Sequence, residues 1–172
     1  MAETRYDHAA LMPSSISGET AHIRRALVLL LVVRLILSIA FSLATPLGEA
    51  PDEADHYAYA AYILEKSELP AGPEMTQGKH PPLYHILAGA AGKLVGGSPD
   101  RSFLRANPDM SFGPQSQATN FFIHTTMEDW PWCEGVLTMR AGRFVSMVAG
   151  LVLVIATYLL GRAIWPARPE LA

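Results

Sequence analysis

The chain has 172 residues, half of them hydrophobic, and a formal net charge of −3. Its single cysteine, Cys133, excludes an intramolecular disulfide. The sequence has no basic run of the kind that binds nucleic acid and no ligand spacing typical of a zinc site, so neither nucleic acid nor structural zinc is expected as a partner. The position of the apolar residues along the chain is therefore the best guide to the class of protein.

Residues 1–23 are polar and mixed, and we interpret them as a cytoplasmic tail. An apolar run of 22 residues follows, from Ala26 to Leu47, with one charge inside it. A helix of that length crosses a hydrocarbon core of about 30 Å at about 1.5 Å per residue. Residues 24–47 are therefore predicted as the first transmembrane helix.

The same run has one alternative interpretation and one unusual residue. Ser42-Leu43-Ala44 would be an acceptable cleavage triplet for a signal peptide, but the run is longer than the usual apolar core of such a peptide. Arg34 lies too deep in the run to reach the interface comfortably. We therefore expect Arg34 to face protein, including helices that are not contained in this chain.

The densest group of ionisable residues follows directly, in Pro51-Asp-Glu-Ala-Asp-His-Tyr57. Proline and acidic residues favour the start of a helix, because the first turn lacks partners for its N–H groups and carries a partial positive charge. If that helix begins at Asp52, then Asp52 and His56 share one face. Ionisable groups crowded at a membrane surface suggest a functional site. The alternative is that these acids only stabilise the helix N-terminus.

Two short amphipathic helices are predicted after this cluster. The first covers residues 57–69 and is too short and polar to cross a membrane, so we expect it to lie along the outer membrane surface. Its tyrosines, Tyr57, Tyr59 and Tyr62, fit a belt of interfacial side chains. The second opens at Pro81-Pro82 and ends at Gly96-Gly97. Its predicted apolar side consists of Leu83, Leu87, Ala90, Ala91 and Leu94.

Lys79 and His80 stand at the entrance of the second short helix. Pro81 favours an extended conformation for His80, which keeps the pair at the helix N-terminus. A helix N-terminus flanked by two cations is suited to bind an anion. An exposed Lys-His pair without any role would have the same sequence, so both interpretations stay open.

Residues 98–137 show no sustained periodicity and are predicted as a long external loop. The second half of this loop is rich in aromatic residues, which predicts order, and His124 within it is interpreted as a hydrogen-bonded structural histidine.

Residues 139–164 are predicted as the second transmembrane helix and residues 165–172 as a cytoplasmic end. Arg140 and Arg143, at its outer end, either face an anion or anchor the helix at the interface.

The distribution of charge predicts the topology. Between residues 46 and 139, twelve Asp and Glu residues stand against five Lys and Arg residues. Four arginines, Arg24, Arg25, Arg162 and Arg168, stand at the ends of the two spans that do not adjoin this acidic segment. The positive-inside rule then places both termini in the cytoplasm and residues 48–138 outside the cell. The predicted fold is an α-helical protein of the plasma membrane, with two transmembrane helices flanking a large external loop that carries two amphipathic juxtamembrane helices.

The order of these features resembles the N-terminal part of the polytopic GT-C glycosyltransferases, over residues 25–166. The features are Pro-Asp-Glu after the first span, Lys-His-Pro-Pro-Leu-Tyr at the start of a helix, and a second span led by arginines. The likeness is greatest to bacterial relatives of protein O-mannosyltransferases and lipid A aminoarabinose transferases. Because such enzymes have many spans, the resemblance implies an N-terminal fragment or a truncated gene product, whose partners are the remaining transmembrane helices and the lipid bilayer.

The resemblance implies transfer of a sugar from a polyprenyl-phosphate donor to an acceptor hydroxyl on the outer face of the membrane. Asp52 matches the catalytic carboxylate of the family and Glu53 its neighbour, and a carboxylate base suits attack by a hydroxyl. Lys79, His80 and Arg140 would bind the donor phosphate. Many relatives have lysine directly before the Pro-Pro pair, where this chain has His80, so either Lys79 or His80 could contact the phosphate.

Two further alternatives remain open. Asp52 together with His56 could hold a divalent metal, the one cofactor that these residues suggest. In a different class of protein, the chain would be a small non-catalytic envelope protein with two spans, whose external loop binds a partner. Several further apolar segments after Ala172 would favour the enzyme.

Overall fold

The computed structural model describes residues 14–70, 76–111 and 118–165, and this part of the chain is mainly helical, which confirms the prediction of an α-helical protein. Its α-helices are α1 (Ser14–Ala44), α2 (Glu53–Lys66), α3 (Leu83–Leu94) and α4 (Glu134–Ile164). Short 3-10 turns cover Thr76–Lys79 and Thr126–Glu128, and an isolated antiparallel bridge pairs Ala106 with Phe122.

Helices α1 and α4 have the length and composition of membrane spans. The segments Ala21–Ala44 and Glu134–Ile164 are 24 and 31 residues long and apolar enough to cross a membrane. A core helix of a soluble protein would be mostly buried, whereas only 6% of the apolar part of each helix is buried by this chain. Helix α1 begins at Ser14 rather than at residue 24, so the end of the predicted tail is helical. The predicted tail before residue 14 and the chain end after residue 165 lie outside the described residues.

The chain divides into two compact units. One unit, Leu37–Gly150, contains the end of α1, all of α2 and α3, and the start of α4, together with every candidate site residue. The other unit contains the remaining parts of the two long helices. Arg34 belongs to that other unit, where its side chain is exposed and makes an interaction with another group of the chain.

Helix α3 runs antiparallel to the first turns of α4. Contacts pair Tyr84 with Ser146, Ala88 with Gly142, and Gly92 with Thr138. A Cβ atom added at Gly92 would lie 2.5 Å from the Cγ2 atom of Thr138, so one of the two helices or the threonine side chain would have to shift. Small residues on the facing sides therefore set the distance between these two helices.

Helix α2 runs in the same direction as α3. His56 contacts His85, and four residues further along both helices the carbonyl of Ala60 faces Gly89. A Cβ atom at Gly89 would lie 3.0 Å from that carbonyl oxygen, so this contact also depends on a small residue. The start of α3 is thereby held beside the start of α2, where the acidic cluster lies.

The face of α3 that packs on the chain is not its apolar side. His85, Ala88, Gly89 and Gly92 are its buried residues. Leu83, Leu87 and Leu94, which belong to the predicted apolar side, are 67%, 48% and 87% exposed. The bounds of the helix agree with the sequence prediction, but small residues and a histidine fit between α2 and α4 where leucines would be too large.

The hydrophobic core of the larger unit lies against α2. Its buried residues are Leu47, Tyr57, Ala61, Phe103, Val136 and Met139. The predicted interfacial location is wrong for Tyr57 and Tyr59, which are only 5% and 2% exposed. Tyr57 packs on the ring of Phe103, and its hydroxyl donates a hydrogen bond to the carbonyl oxygen of Asp100. The polar end of a tyrosine can be satisfied inside the protein, so the sequence pattern alone does not separate core from interface.

Candidate functional site

The first two carboxylates of the acidic cluster lie in different environments. Asp52 precedes α2 with a left-handed backbone conformation (φ 57°, ψ 7°), and its exposed side chain makes no capping hydrogen bond. Glu53 begins the helix and accepts a hydrogen bond from the amide of Gly48 at 3.0 Å. Aspartate tolerates the left-handed region better than most residues, although the conformation remains uncommon. The backbone therefore fixes Asp52 while its carboxylate stays accessible.

Arg143 holds Glu53 in place. The Nε atom of Arg143 lies 2.5 Å from Oε1 of Glu53, and Nη2 lies 2.7 Å from Oε2. The same guanidinium donates to carbonyl oxygens at the end of α1, those of Ser42, Thr45 and Pro46. These five contacts match the five N–H donors of an arginine. Arg143 therefore joins α4, the end of α1 and the start of α2 at one point, and it satisfies carbonyls that a helix end leaves unpaired.

Arg140 lies one turn earlier on α4 and also contacts the end of α1. Its Nη1 atom donates to the carbonyl oxygen of Ser42 at 2.5 Å, and its guanidinium lies 4.9 Å from the ring centroid of Trp132. Its Nε atom is buried and has no hydrogen-bond partner within the described ranges. For these two arginines we expected either an anion or an anchoring role at the interface; in the structure Arg143 contacts the carboxylate of Glu53, and both contact the carbonyl oxygen of Ser42.

Three histidines meet between α2 and the start of α3. The Nδ1 atom of His56 lies 2.9 Å from Nε2 of His85, and the ring centroids of His56 and His80 are 5.6 Å apart. His85 is 1% exposed and stacks on Tyr59, with 3.9 Å between ring centroids. Burial, together with the neighbouring His56 and His80, lowers the pKa of His85. His85 is therefore a neutral imidazole at pH 7.

A small cavity lies among α2, α3 and α4. Its volume is about 20 Å³, which is enough for one water molecule. Polar side chains line part of its wall: Glu53, His56, Tyr84, Thr138 and Arg143. The ion pair and one of the three histidines, His56, therefore border the same space.

A second charged cluster fixes the segment that precedes α4. The carboxylate of Glu49 accepts hydrogen bonds from the amides of Phe121 and Phe122, both at 2.9 Å, and lies 3.0 Å from Nε2 of His124. The Nδ1 atom of His124 lies 2.8 Å from Glu128. Burial disfavours both charged forms, but the hydrogen bonds outweigh it, so the pKa of Glu49 is lowered and the pKa of His124 is raised. The interpretation of His124 as a structural histidine is confirmed.

Lys79 and His80, the predicted anion site, are both exposed at the end of the 3-10 turn that packs on α2. No hydrogen bond or ion pair joins either of them to Asp52 in the part of the chain that the structure describes.

The alternative of a metal at Asp52 and His56 gains no support. Across residues 14–70, 76–111 and 118–165, no three His, Cys, Asp or Glu side chains are arranged to hold a metal ion.

Sequence reasoning missed two residues of these clusters, His85 and Glu49. His85 follows Pro81 by one helical turn, and that spacing could have placed it on the face of α3 that meets α2. Nothing in the sequence pairs Glu49 with a histidine 75 positions later.

Comparisons with family models, with curated proteins and with solved structures give no match for this chain. Its function is therefore argued from the residues of the site.

Proposed function

We propose that the chain forms part of a membrane glycosyltransferase, which moves a sugar from a polyprenyl-phosphate donor to an acceptor hydroxyl at the outer face of the plasma membrane. The observation that carries this proposal is the state of Asp52. Its carboxylate is exposed and free of a capping hydrogen bond, on a left-handed backbone directly before the residue that Arg143 holds. Uncommon backbone conformations cluster at functional sites, and a fixed free carboxylate suits removal of a hydroxyl proton.

The proposal places α1 and α4 across the membrane, with both termini in the cytoplasm and residues 48–138 outside. Support comes from the largely unburied apolar surface of both helices and from the excess of acidic residues between them. Arginines at the other ends of the helices agree with the positive-inside rule. In this orientation Asp52 lies shortly beyond the outer end of α1 at Ala44.

The donor phosphate would be bound by Lys79 and His80. Both side chains are exposed, whereas the donors of Arg143 already have partners within the chain. Arg140 is half-buried, with Nη1 bonded to the carbonyl oxygen of Ser42 and a buried Nε that has no partner within the described residues, so it is less accessible than Lys79 and His80. A lipid phosphate leaves without an acid and needs cations to stabilise its developing charge. Lys79→Ala and His80→Ala are therefore expected to weaken donor binding more than turnover, and the larger effect identifies the phosphate contact.

The test is transfer of radiolabelled mannose from polyprenyl-phosphate mannose, in membranes that contain the protein. Asp52→Asn keeps the shape and the tolerance of a left-handed backbone but loses basicity, so turnover should fall by about 10²–10⁴-fold with donor binding unchanged. Asp55→Asn, on the same helix, is the matched control and should stay near wild type. Wild-type turnover in Asp52→Asn would return the acidic cluster to a structural role.

A second candidate is a non-catalytic two-span protein whose external segment binds a partner. The outward-facing leucines of α3, Leu83, Leu87 and Leu94, favour it because the chain itself leaves them uncovered. The two functions respond differently to substitution. A partner-binding protein should be insensitive to Asp52→Asn and should lose binding in Leu87→Asp, whereas the enzyme requires Asp52.

A further inference from the structure

The outward side of α3 is apolar and open to its surroundings. Leu83, Ile86 and Leu87 are 67%, 40% and 48% exposed. The helix contains no Asp, Glu, Lys or Arg before Lys93, which lies in its last turn. Its buried residues lie on the other side, against α2 and α4. An exposed apolar face of this kind marks a contact with a membrane or with a protein.

The outer boundary of the hydrocarbon core can be located on both long helices. Counted from Arg162, at the proposed inner end of α4, the about 20 residues that cross the core reach Gly142. Counted from Arg25, at the proposed inner end of α1, the same about 20 residues reach Thr45. In the structure Arg143, next to Gly142, donates to the carbonyl oxygen of Thr45 at 2.7 Å. Two separate counts thus end at residues that lie together.

Helix α3 extends to both sides of this boundary. Ala88 lies at the boundary, because a Cβ atom added at Gly142 would be 3.5 Å from its Cβ atom. The hydroxyl of Tyr84 contacts the hydroxyl of Ser146 at 3.3 Å. Ser146 is four residues further into the membrane than Gly142, which is about 6 Å at about 1.5 Å per residue. The first turn of α3 therefore lies at a depth where hydrocarbon surrounds the protein.

The charged end of α3 lies on the outer side of the same boundary. Gly92 contacts Thr138, which precedes Gly142 by four residues and so stands about 6 Å outside. Lys93 follows Gly92 directly, and its side chain is exposed. The polar headgroup region adds about 5–7 Å on each side of the hydrocarbon core, so Lys93 stands at the height of lipid phosphates and water. Helix α3 thus changes from apolar to charged in the direction in which a membrane gives way to water.

We propose that the first turn of α3 inserts into the outer leaflet of the lipid bilayer, with Leu83 and Leu87 against acyl chains and Lys93 among the headgroups. Phe144 and Val148, at this depth on α4, are also apolar and are 60% and 43% exposed, as lipid-facing residues are. An interfacial amphipathic helix ordinarily lies flat on the membrane, whereas α3 runs along α4 and enters with its N-terminus first. This insertion depends on the membrane topology of the proposed function and is independent of sugar transfer. It assigns to lipid the surface that a protein would cover in the non-catalytic alternative.

The experiment measures the depth of nitroxide labels in the full chain, reconstituted in phosphatidylcholine vesicles. Each label is attached to a single cysteine, in Leu83→Cys, Leu87→Cys or Leu94→Cys, with Cys133→Ser as the background. Oxygen concentrates in hydrocarbon, whereas a water-soluble nickel chelate is excluded from it, so their relative access to a label reports its depth. We expect oxygen access to dominate at position 83, the ratio to fall at position 87, and nickel access to dominate at position 94.

Three results would overturn the insertion. Equal depth at positions 83, 87 and 94 would show that α3 lies flat on the membrane. Dominant nickel access at position 83 would place the first turn in water. Low access of both reagents at position 87 would show that a protein covers this face, and dilution with unlabelled chain then distinguishes a second copy from another partner.

Two further labels separate this insertion from the topology on which it depends. Val152→Cys, at a position that is 58% exposed on α4, should show the oxygen access of the membrane interior. If position 152 reports hydrocarbon and position 83 does not, only the insertion fails; if position 152 reports water, the topology of the proposed function fails together with it. Ile86→Cys lies on the same face as Leu83 and should report hydrocarbon as well, which covers the case in which a label at position 83 disturbs the start of α3.

Discussion

Arg143 and Glu53 form a bidentate ion pair across 90 residues of sequence, with side chains that are only 11% and 15% exposed. Water reaches such a pair poorly, so either charge is costly to leave without its partner. The pair also explains why Glu53, next to the free carboxylate of Asp52, serves to position the start of α2. Neighbouring acids in the sequence thus have different roles in the structure.

Removing one partner of this pair should therefore destabilise the protein. Glu53→Gln and Arg143→Gln are each expected to cost roughly 3 kcal/mol, and the double variant less than the sum. Thermal unfolding of the full chain in detergent, followed by circular dichroism, measures the loss of stability in each single variant and in the double variant. Glu65→Gln removes an exposed pair with Lys66 and should have no measurable effect. Strictly additive losses would contradict the ion pair.

Two glycines of the α3–α4 contact should respond in opposite ways to the same substitution. Gly92→Ala forces a Cβ atom to within 2.5 Å of Thr138 and should cost about 1–3 kcal/mol. Gly142→Ala places its Cβ atom at 3.5 Å from Ala88, an ordinary contact, and alanine favours a helix by up to about 1 kcal/mol. Thermal midpoints of the two variants give the comparison, and equal losses would show that the helices are not packed as described.

The cluster of Glu49, His124 and Glu128 should make the segment before α4 sensitive to pH. The pKa of Glu49 lies below its ordinary 4.5, so its contribution is present above pH 4.5 and is lost as the pH falls through the lowered value. The pKa of His124 lies above its ordinary 6.5, so its contribution is complete below pH 6.5 and is lost as the pH rises through the raised value. Both are present between pH 4.5 and 6.5.

Hydrogen exchange at the amides of Phe121 and Phe122 reports this window directly, since both bond to Glu49. After correction for the intrinsic pH dependence of exchange, protection should be greatest between pH 4.5 and 6.5. His124→Gln should abolish the decline at higher pH and leave the decline at acidic pH. Protection that peaks at pH 8 in the wild type would rule out the charged histidine.

The exposed Cys133 allows the topology to be tested without an engineered label. A membrane-impermeant maleimide should modify it in intact cells, because residues 48–138 are proposed to lie outside. In the variant Cys133→Ser with His22→Cys, modification should require permeabilised cells. Labelling of position 22 but not of Cys133 in intact cells would invert the proposed orientation.

The sequence predicted the four helices because periodicity, prolines and long apolar runs are local signals. It did not predict which face of α3 is covered, since an apolar stripe does not specify whether this chain or another molecule packs on it. It indicated Asp52 and Glu53 as candidate site residues. It did not predict that Glu53 is held in an ion pair while Asp52 is not, because that pair depends on Arg143, 90 residues away. His85 was missed for the same reason, because its role arises from contacts with α2 that no local pattern encodes.

The contact between α3 and α4 also restricts where the sequence can accept insertions and deletions. Residues of α4 meet α3 at positions Thr138, Gly142 and Ser146, one every four residues along a single stripe. A single inserted or deleted residue between 138 and 146 would rotate one part of the stripe by about 100° relative to the other. Arg143 would then turn away from Glu53, or Thr138 away from Gly92. Related sequences should accordingly vary in length elsewhere and keep this stretch of α4 free of insertions and deletions.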